Sequence, residues 1–186
     1  MHTTLAAALW SRTATSRFHQ VALVVLGTML LAISAQIQVP FWPVPMTMQT
    51  FMVLIIGATY GWRLGGMTVA AYLVEGAVGL PVFAQFSAGA HVLVGPTAGY
   101  LAGFVAAAML TGYLAERGFG RNLATALISF AAGTVVIFVF GLAWLSSLIG
   151  IEGAITHGLM PFILSEPTKV ALATLLLPSC WKLVRR

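Results

Sequence analysis

The sequence predicts an all-α integral membrane protein, a compact bundle of about six transmembrane helices with both termini cytoplasmic. Three observations carry this prediction. Of 186 residues, 60% are hydrophobic and 7% charged, against ~45–50% and ~25% in soluble domains. Apolar stretches near the ~20 residues needed to cross hydrocarbon follow one another along most of the chain. Finally, the basic residues cluster in alternate connections between those stretches. So little charge cannot keep a soluble surface hydrated, which excludes a soluble enzyme, a nucleic-acid-binding domain and a disordered chain. One transmembrane domain is expected over residues 1–186.

The N-terminal run 5–10 is too short to span and lacks a small-residue cleavage site after it. It reads as a short interfacial helix within segment 1–17, with Trp10, Arg12 and Arg17 at the headgroups. The spans are then expected at 18–39, 47–61, 65–80, 96–114, 122–148 and 159–183, with a Gly-rich stretch at 81–95. Arg12 and Arg17 precede the first span, and Arg63 lies between the second and third. Arg117 and Arg121 separate the fourth and fifth, while Lys182, Arg185 and Arg186 end the chain. The opposite connections, 39–46, 81–95 and 150–158, hold no Lys or Arg. The positive-inside rule therefore puts both termini in the cytoplasm. The lone Cys180 sits in an apolar run and reads as a buried, inert thiol.

Ionisable groups at hydrocarbon depth cost roughly 2.5–3.5 kcal/mol each and mark function by default. Glu75, Glu166 and Lys169 are the candidates. Glu166 and Lys169 lie three positions apart, so a helix places them on one face; Ser165 and Pro167 predict a cap or kink beside them. Two readings stand: a mutual salt bridge that neutralises both, or a ligand clamp near the outer leaflet. In the clamp, the carboxylate accepts from ligand N–H groups and the ammonium meets a ligand anion. Glu75 pairs with a neighbouring helix or stays protonated.

Two outer connections are unusually apolar. Segment 39–46 carries Pro40, Pro43 and Pro45 with Phe41 and Trp42. Proline stiffens it, so it serves either as an interfacial anchor or as a lid over an apolar pocket. Segment 79–89 offers Gln85 and Ser87 as hydrogen-bonding groups, among residues small enough for close backbone approach. No phosphate-binding loop, metalloprotease spacing or nucleophile elbow occurs. The four His residues are dispersed, so no metal, cofactor or catalytic residue is expected. Without an ATP-hydrolysing motif, uphill uptake by this chain needs partners.

Four stations together carry a family resemblance: Val39-Pro-Phe-Trp-Pro-Val-Pro-Met-Thr-Met-Gln49, Gly79-Leu-Pro-Val-Phe83, Gly95-Pro-Thr-Ala-Gly-Tyr100 and Pro161-Phe-Ile-Leu-Ser-Glu-Pro-Thr-Lys169. From about Gly27 to the end of the last span, the chain resembles the BioY family, the biotin-specific substrate-binding (S) components of energy-coupling factor (ECF) transporters. The resemblance implies a six-helix protein that binds biotin in a pocket open to the outside. It also implies a transmembrane coupling (T) subunit and two cytoplasmic ABC ATPases as partners, in a bacterial plasma (inner) membrane. In that family an Asp usually stands three positions before the Lys; here Glu166 takes the place, one methylene longer. The family's polar group in the Gly-rich segment maps to Ser87 or Gln85. Small residues that pack against the coupling subunit map, in the first span, to Thr28 and Ala32.

Biotin presents two urea N–H donors and a carbonyl, an apolar sulfur ring, an aliphatic tail and a carboxylate. Its pocket needs an acceptor, a donor, apolar walls and a cation. Glu166, Lys169, Ser87 or Gln85, and the Phe41/Trp42 loop make that set. Gln49 and Tyr100 sit at the same depth and add hydrogen bonds or wall area. The expectation is capture of biotin from outside, closure of the 39–46 loop, and reorientation driven by partner ATPases. Three rivals are an S component for another vitamin, an intramembrane enzyme using Glu166 as acid or base, and an assembly subunit without ligand.

Overall fold

A computed structural model describes residues 4–9 and 17–184. In chain order come α1 (Leu5–Leu9), α2 (Arg17–Gln36), the two-residue strands β1 (Gln38–Val39) and β2 (Met46–Thr47), and α3 (Gln49–Tyr60). They are followed by α4 (Trp62–Ala77), α5 (Ala98–Glu116), α6 (Leu123–Ala154) and α7 (Ser165–Val184). Two short 3₁₀ turns, Ala84–Phe86 and Ala90–Val94, lie between α4 and α5. One π turn (Ile155–Leu159) and one 3₁₀ turn (Met160–Phe162) lead into α7. Among the described residues, α2, α5 and the stretch Leu123–Phe162 are long and apolar enough to cross a membrane. The chain is a multi-pass membrane protein.

Small residues bring the helices together, as packing in lipid requires. A Cβ on Gly57 would run into the Ala108 carbonyl, and one on Gly103 would stand 3.0 Å from the Ile137 Cα. These contacts seat α3 and α6 against α5, which is buried along much of its length. The outward side chains are those lipid accepts: Val21, Val25, Met29 and Ile33 on α2, Val135 and Val139 on α6.

The turn from α3 to α4 is a single residue, Gly61, whose φ of +87° suits glycine. Gly61 has no side chain with which to cap α4, so Glu116 does it from α5, accepting from the Trp62 N–H at 3.2 Å. Asn122 caps α6 by accepting from the Thr125 N–H at 2.9 Å. Basic residues gather at this end, where Arg117 stacks on Tyr113 and Arg121 on Trp181.

Several expectations change in detail. Segment 39–46 is the turn of a small antiparallel hairpin, with Gln38 opposite Thr47 and Val39 opposite Met46. Segment 150–158 is not a loop. Helix resumes after Gly150, whose φ of +79° and ψ of 166° make one break in α6. Pro167 does not kink α7, because it sits in the first turn, where its missing N–H had no helical acceptor. Thr28 is buried and Ala32 packs on the core, so that face of α2 turns into this chain rather than outward. The N-terminal helix is more than interfacial: Leu5 is buried in the core cluster, and α1 contacts α3 and α7. Trp10, Arg12, Arg185 and Arg186 lie outside the described residues.

Helix α3 has 12 residues, about 18 Å of rise against a hydrocarbon core of ~30 Å. The hairpin runs into its first turn. Irregular backbone in a membrane protein persists where protein covers it or where it lines a cavity, and the hairpin turn and the 83–92 loop line one.

Candidate functional site: a cavity beneath the hairpin

The cavity, about 250 Å³, lies among the hairpin turn, the 83–92 loop, the start of α3, the first turns of α5, the middle of α6 and the 3₁₀ turn before α7. That is just below the ~300–1,000 Å³ of drug-sized sites and suits a small ligand. Its wall is aromatic. Tyr100 and Phe138 meet edge-on at 5.8 Å, Phe138 and Phe162 at 5.5 Å, and Tyr100 stacks on Phe162 at 6.5 Å. The Tyr100 hydroxyl donates to the Gly158 carbonyl at 2.9 Å, which uses its donor and ties α5 to the π turn. Tyr100 thus adds wall area, with its hydroxyl proton committed elsewhere. Phe41 and Trp42 line it from the hairpin turn, and Trp42 is 83% exposed.

The opposite wall is polar. Thr47, Gln49 and Thr50 reach the cavity from the end of β2 and the start of α3. The Gln49 Nε2 donates to the Tyr72 hydroxyl at 2.7 Å, and that hydroxyl donates onward to the Val82 carbonyl at 2.9 Å. The Gln49 Oε1 accepts from the Thr47 hydroxyl at 3.3 Å. Gln49 therefore braces the wall, with one of its two amide hydrogens engaged by Tyr72.

Behind Thr47 and Thr50 lie Glu166 and Lys169, which are 6% and 7% exposed. They do not line the cavity; they form an ion pair with Lys169 Nζ 2.6 Å from Glu166 Oε1. Nζ also donates to the Thr47 carbonyl at 2.6 Å and to Thr50 Oγ1 at 3.1 Å, so its three hydrogens are all used. Thr50 in turn donates to Glu166 Oε1 at 3.2 Å. Burying two charges costs several kcal/mol per ion unless geometry and extra hydrogen bonds offset it, and these bonds do so with one exception. Glu166 Oε2 is buried with no partner. A buried acceptor left empty costs about 1–3 kcal/mol, so a donor brought there is favoured.

Phe41, Trp42, Gln49, Gln85, Ser87 and Tyr100 thus share one cavity, while Glu166 and Lys169 form its backing layer. Ser87 spends its hydroxyl proton on the Ala84 carbonyl at 2.7 Å, leaving Gln85 the freer polar group of the loop. Glu75 does not line the cavity, and among the described residues no cluster of His, Cys, Asp or Glu could hold a metal. Thr50 and Phe138 were not singled out by sequence, and Thr47, Phe83 and Phe162, though inside the quoted motifs, were given no place in the site. The two threonines flank Gln49 and had a local signal, whereas the phenylalanines converge only through the fold.

Residues 6–186 match the BioY family. The chain is 41% identical over 150 residues to "Biotin transporter BioY" of Thermotoga maritima, covering 80% of this chain and 88% of that protein. It is 37% identical over 157 residues to "Probable biotin transporter BioY" of Pyrococcus horikoshii, covering 84% and 93%. The crystal structure of an "S-component for biotin from an ECF-type ABC transporter" superposes with a TM-score of 0.77 at 23% identity, over 89% of this chain and 92% of that one. That last likeness concerns the fold.

Proposed function

Because the chain belongs to the BioY family, we propose that it captures biotin from outside the cell as the S component of an ECF-type transporter. It is a transport protein and not an enzyme. The observation that carries the chemistry is the two-sided cavity, aromatic on one wall and hydroxyl- and amide-lined on the other, with an ion pair behind the polar wall.

The apolar ring and tail of biotin pack against Phe41, Trp42, Tyr100, Phe138 and Phe162. Its urea N–H groups take acceptors on the polar side: the threonine hydroxyls, Gln85 at the loop, and the empty Glu166 Oε2 once Thr50 shifts aside. Lys169, by exchanging one of its three acceptors, answers the ligand carboxylate. We read six spans with both termini cytoplasmic, in a bacterial inner membrane. The arginines at the end remote from the cavity support this orientation. A T subunit and ABC ATPases supply the energy, which agrees with the absence of a phosphate-binding motif here.

The fully satisfied Nζ favours a second reading of the ion pair alone, in which it is structural and never meets ligand. Binding of biotin and of its uncharged methyl ester to wild type and Lys169→Met separates the two. Recognition of the carboxylate predicts a larger loss for biotin; equal losses leave Lys169 a structural group. Absence of saturable biotin binding to wild type would overturn the function itself.

A further inference from the structure

Gln36, the last residue of α2, does not line the cavity. Its amide nevertheless grips the ligand-side loop at two points: Nε2 donates to the Phe83 carbonyl at 2.9 Å, and Oε1 accepts from the Phe86 N–H at 3.2 Å. The stretch between these points is unusual. Gln85 has φ 58° and ψ 31°, and Phe86 has φ 55°, two consecutive non-glycine residues in the left-handed region. Such residues persist where their surroundings over-determine them.

Other ties hold the loop on either side. The Tyr72 hydroxyl donates to Val82, the Gly89 N–H donates to the Gly76 carbonyl at 2.7 Å, and the Phe83 ring occupies the space a side chain on Gly76 would need. Among the described residues, the side-chain hydrogen bond from a helix to the Gln85–Phe86 pair itself is Gln36's. A carboxamide suits this task because it offers a donor and an acceptor in one plane. Gln85 and Ser87, which that loop turns toward the cavity, are polar groups facing the ligand space.

We infer that Gln36 is a positioning residue for ligand recognition, holding the left-handed Gln85–Phe86 turn so that Gln85 faces the bound molecule. This rests on the biotin-binding reading above. Gln36→Met keeps the side-chain length and removes both hydrogen bonds. It is compared with wild type, Gln85→Ala and the double variant by equilibrium and dissociation measurements with labelled biotin. Hydrogen exchange over residues 83–87 is followed without ligand. The inference predicts about tenfold weaker binding for Gln36→Met, expressed mainly as faster release. It predicts little further loss when the same change is made in the Gln85→Ala background, and faster exchange at Phe86. Equal losses in both backgrounds, unchanged affinity, or unchanged exchange would each overturn it. Should wild type fail to bind biotin, the functional reading falls while the exchange result still judges the clamp.

Discussion

Replacing Lys169 by Met removes at once the cation paired with Glu166 Oε1, a donor to the Thr47 carbonyl and a donor to Thr50 Oγ1, leaving Oε1 only the Thr50 hydroxyl. Glu166 then remains a buried charge with Oε2 already unpartnered. Breaking a buried pair from one side costs about 3–5 kcal/mol. For a chain of this size each kcal/mol moves the thermal midpoint by roughly 2–4 °C, so Lys169→Met should lower it by about 6–20 °C. In Glu166→Leu/Lys169→Met no charge is left. The Thr47 carbonyl and Thr50 hydroxyl lose Nζ in both variants, at about 1–3 kcal/mol each, so the uncompensated buried charge is what the double variant is spared. The double variant should therefore be more stable than Lys169→Met alone. Thermal unfolding of detergent-purified protein, read by the folded fraction on size exclusion, gives the comparison. A double variant whose loss equals the sum of the two single losses would refute the coupling.

Two further outcomes follow from the loops. Tyr72→Phe leaves the Gln49 amide without its acceptor and the Val82 carbonyl without its donor; it should cost about 1–3 kcal/mol in the unfolding assay and speed biotin release. A release rate like that of wild type would separate this relay from the binding site. Trp42→Ala should also speed release if the exposed indole closes the cavity, with the midpoint little changed; an unaltered rate makes Trp42 an anchor at the interface.

Much of the fold was legible because lipid imposes simple demands on sequence. Apolar length marked the helices, and proline with aromatic residues marked the 39–46 turn. The intramembrane charges were found for the reason they are informative: Glu166 and Lys169 are expensive to bury, so their presence needs an account. Their arrangement was another matter. Spacing put them on one helix face, but the Thr50 hydroxyl and the Thr47 carbonyl that complete the pair come from more than a hundred positions away in sequence. Gln36 was invisible for the same reason, since an ordinary glutamine at a helix end acquires meaning only from a loop 47 residues further on. The helix after Gly150 was hidden differently. Segment 150–158 was read as a connection between spans, whereas one residue at φ +79° merely redirects the chain before helix resumes.

The most direct test is equilibrium binding of labelled biotin to the purified chain and to Ala84→Trp, which fills the cavity from its rim. Saturable binding of one biotin per wild-type chain, lost in a variant that remains monodisperse, is the predicted result. Binding of equal strength to both proteins would place the ligand elsewhere and contradict the site described above.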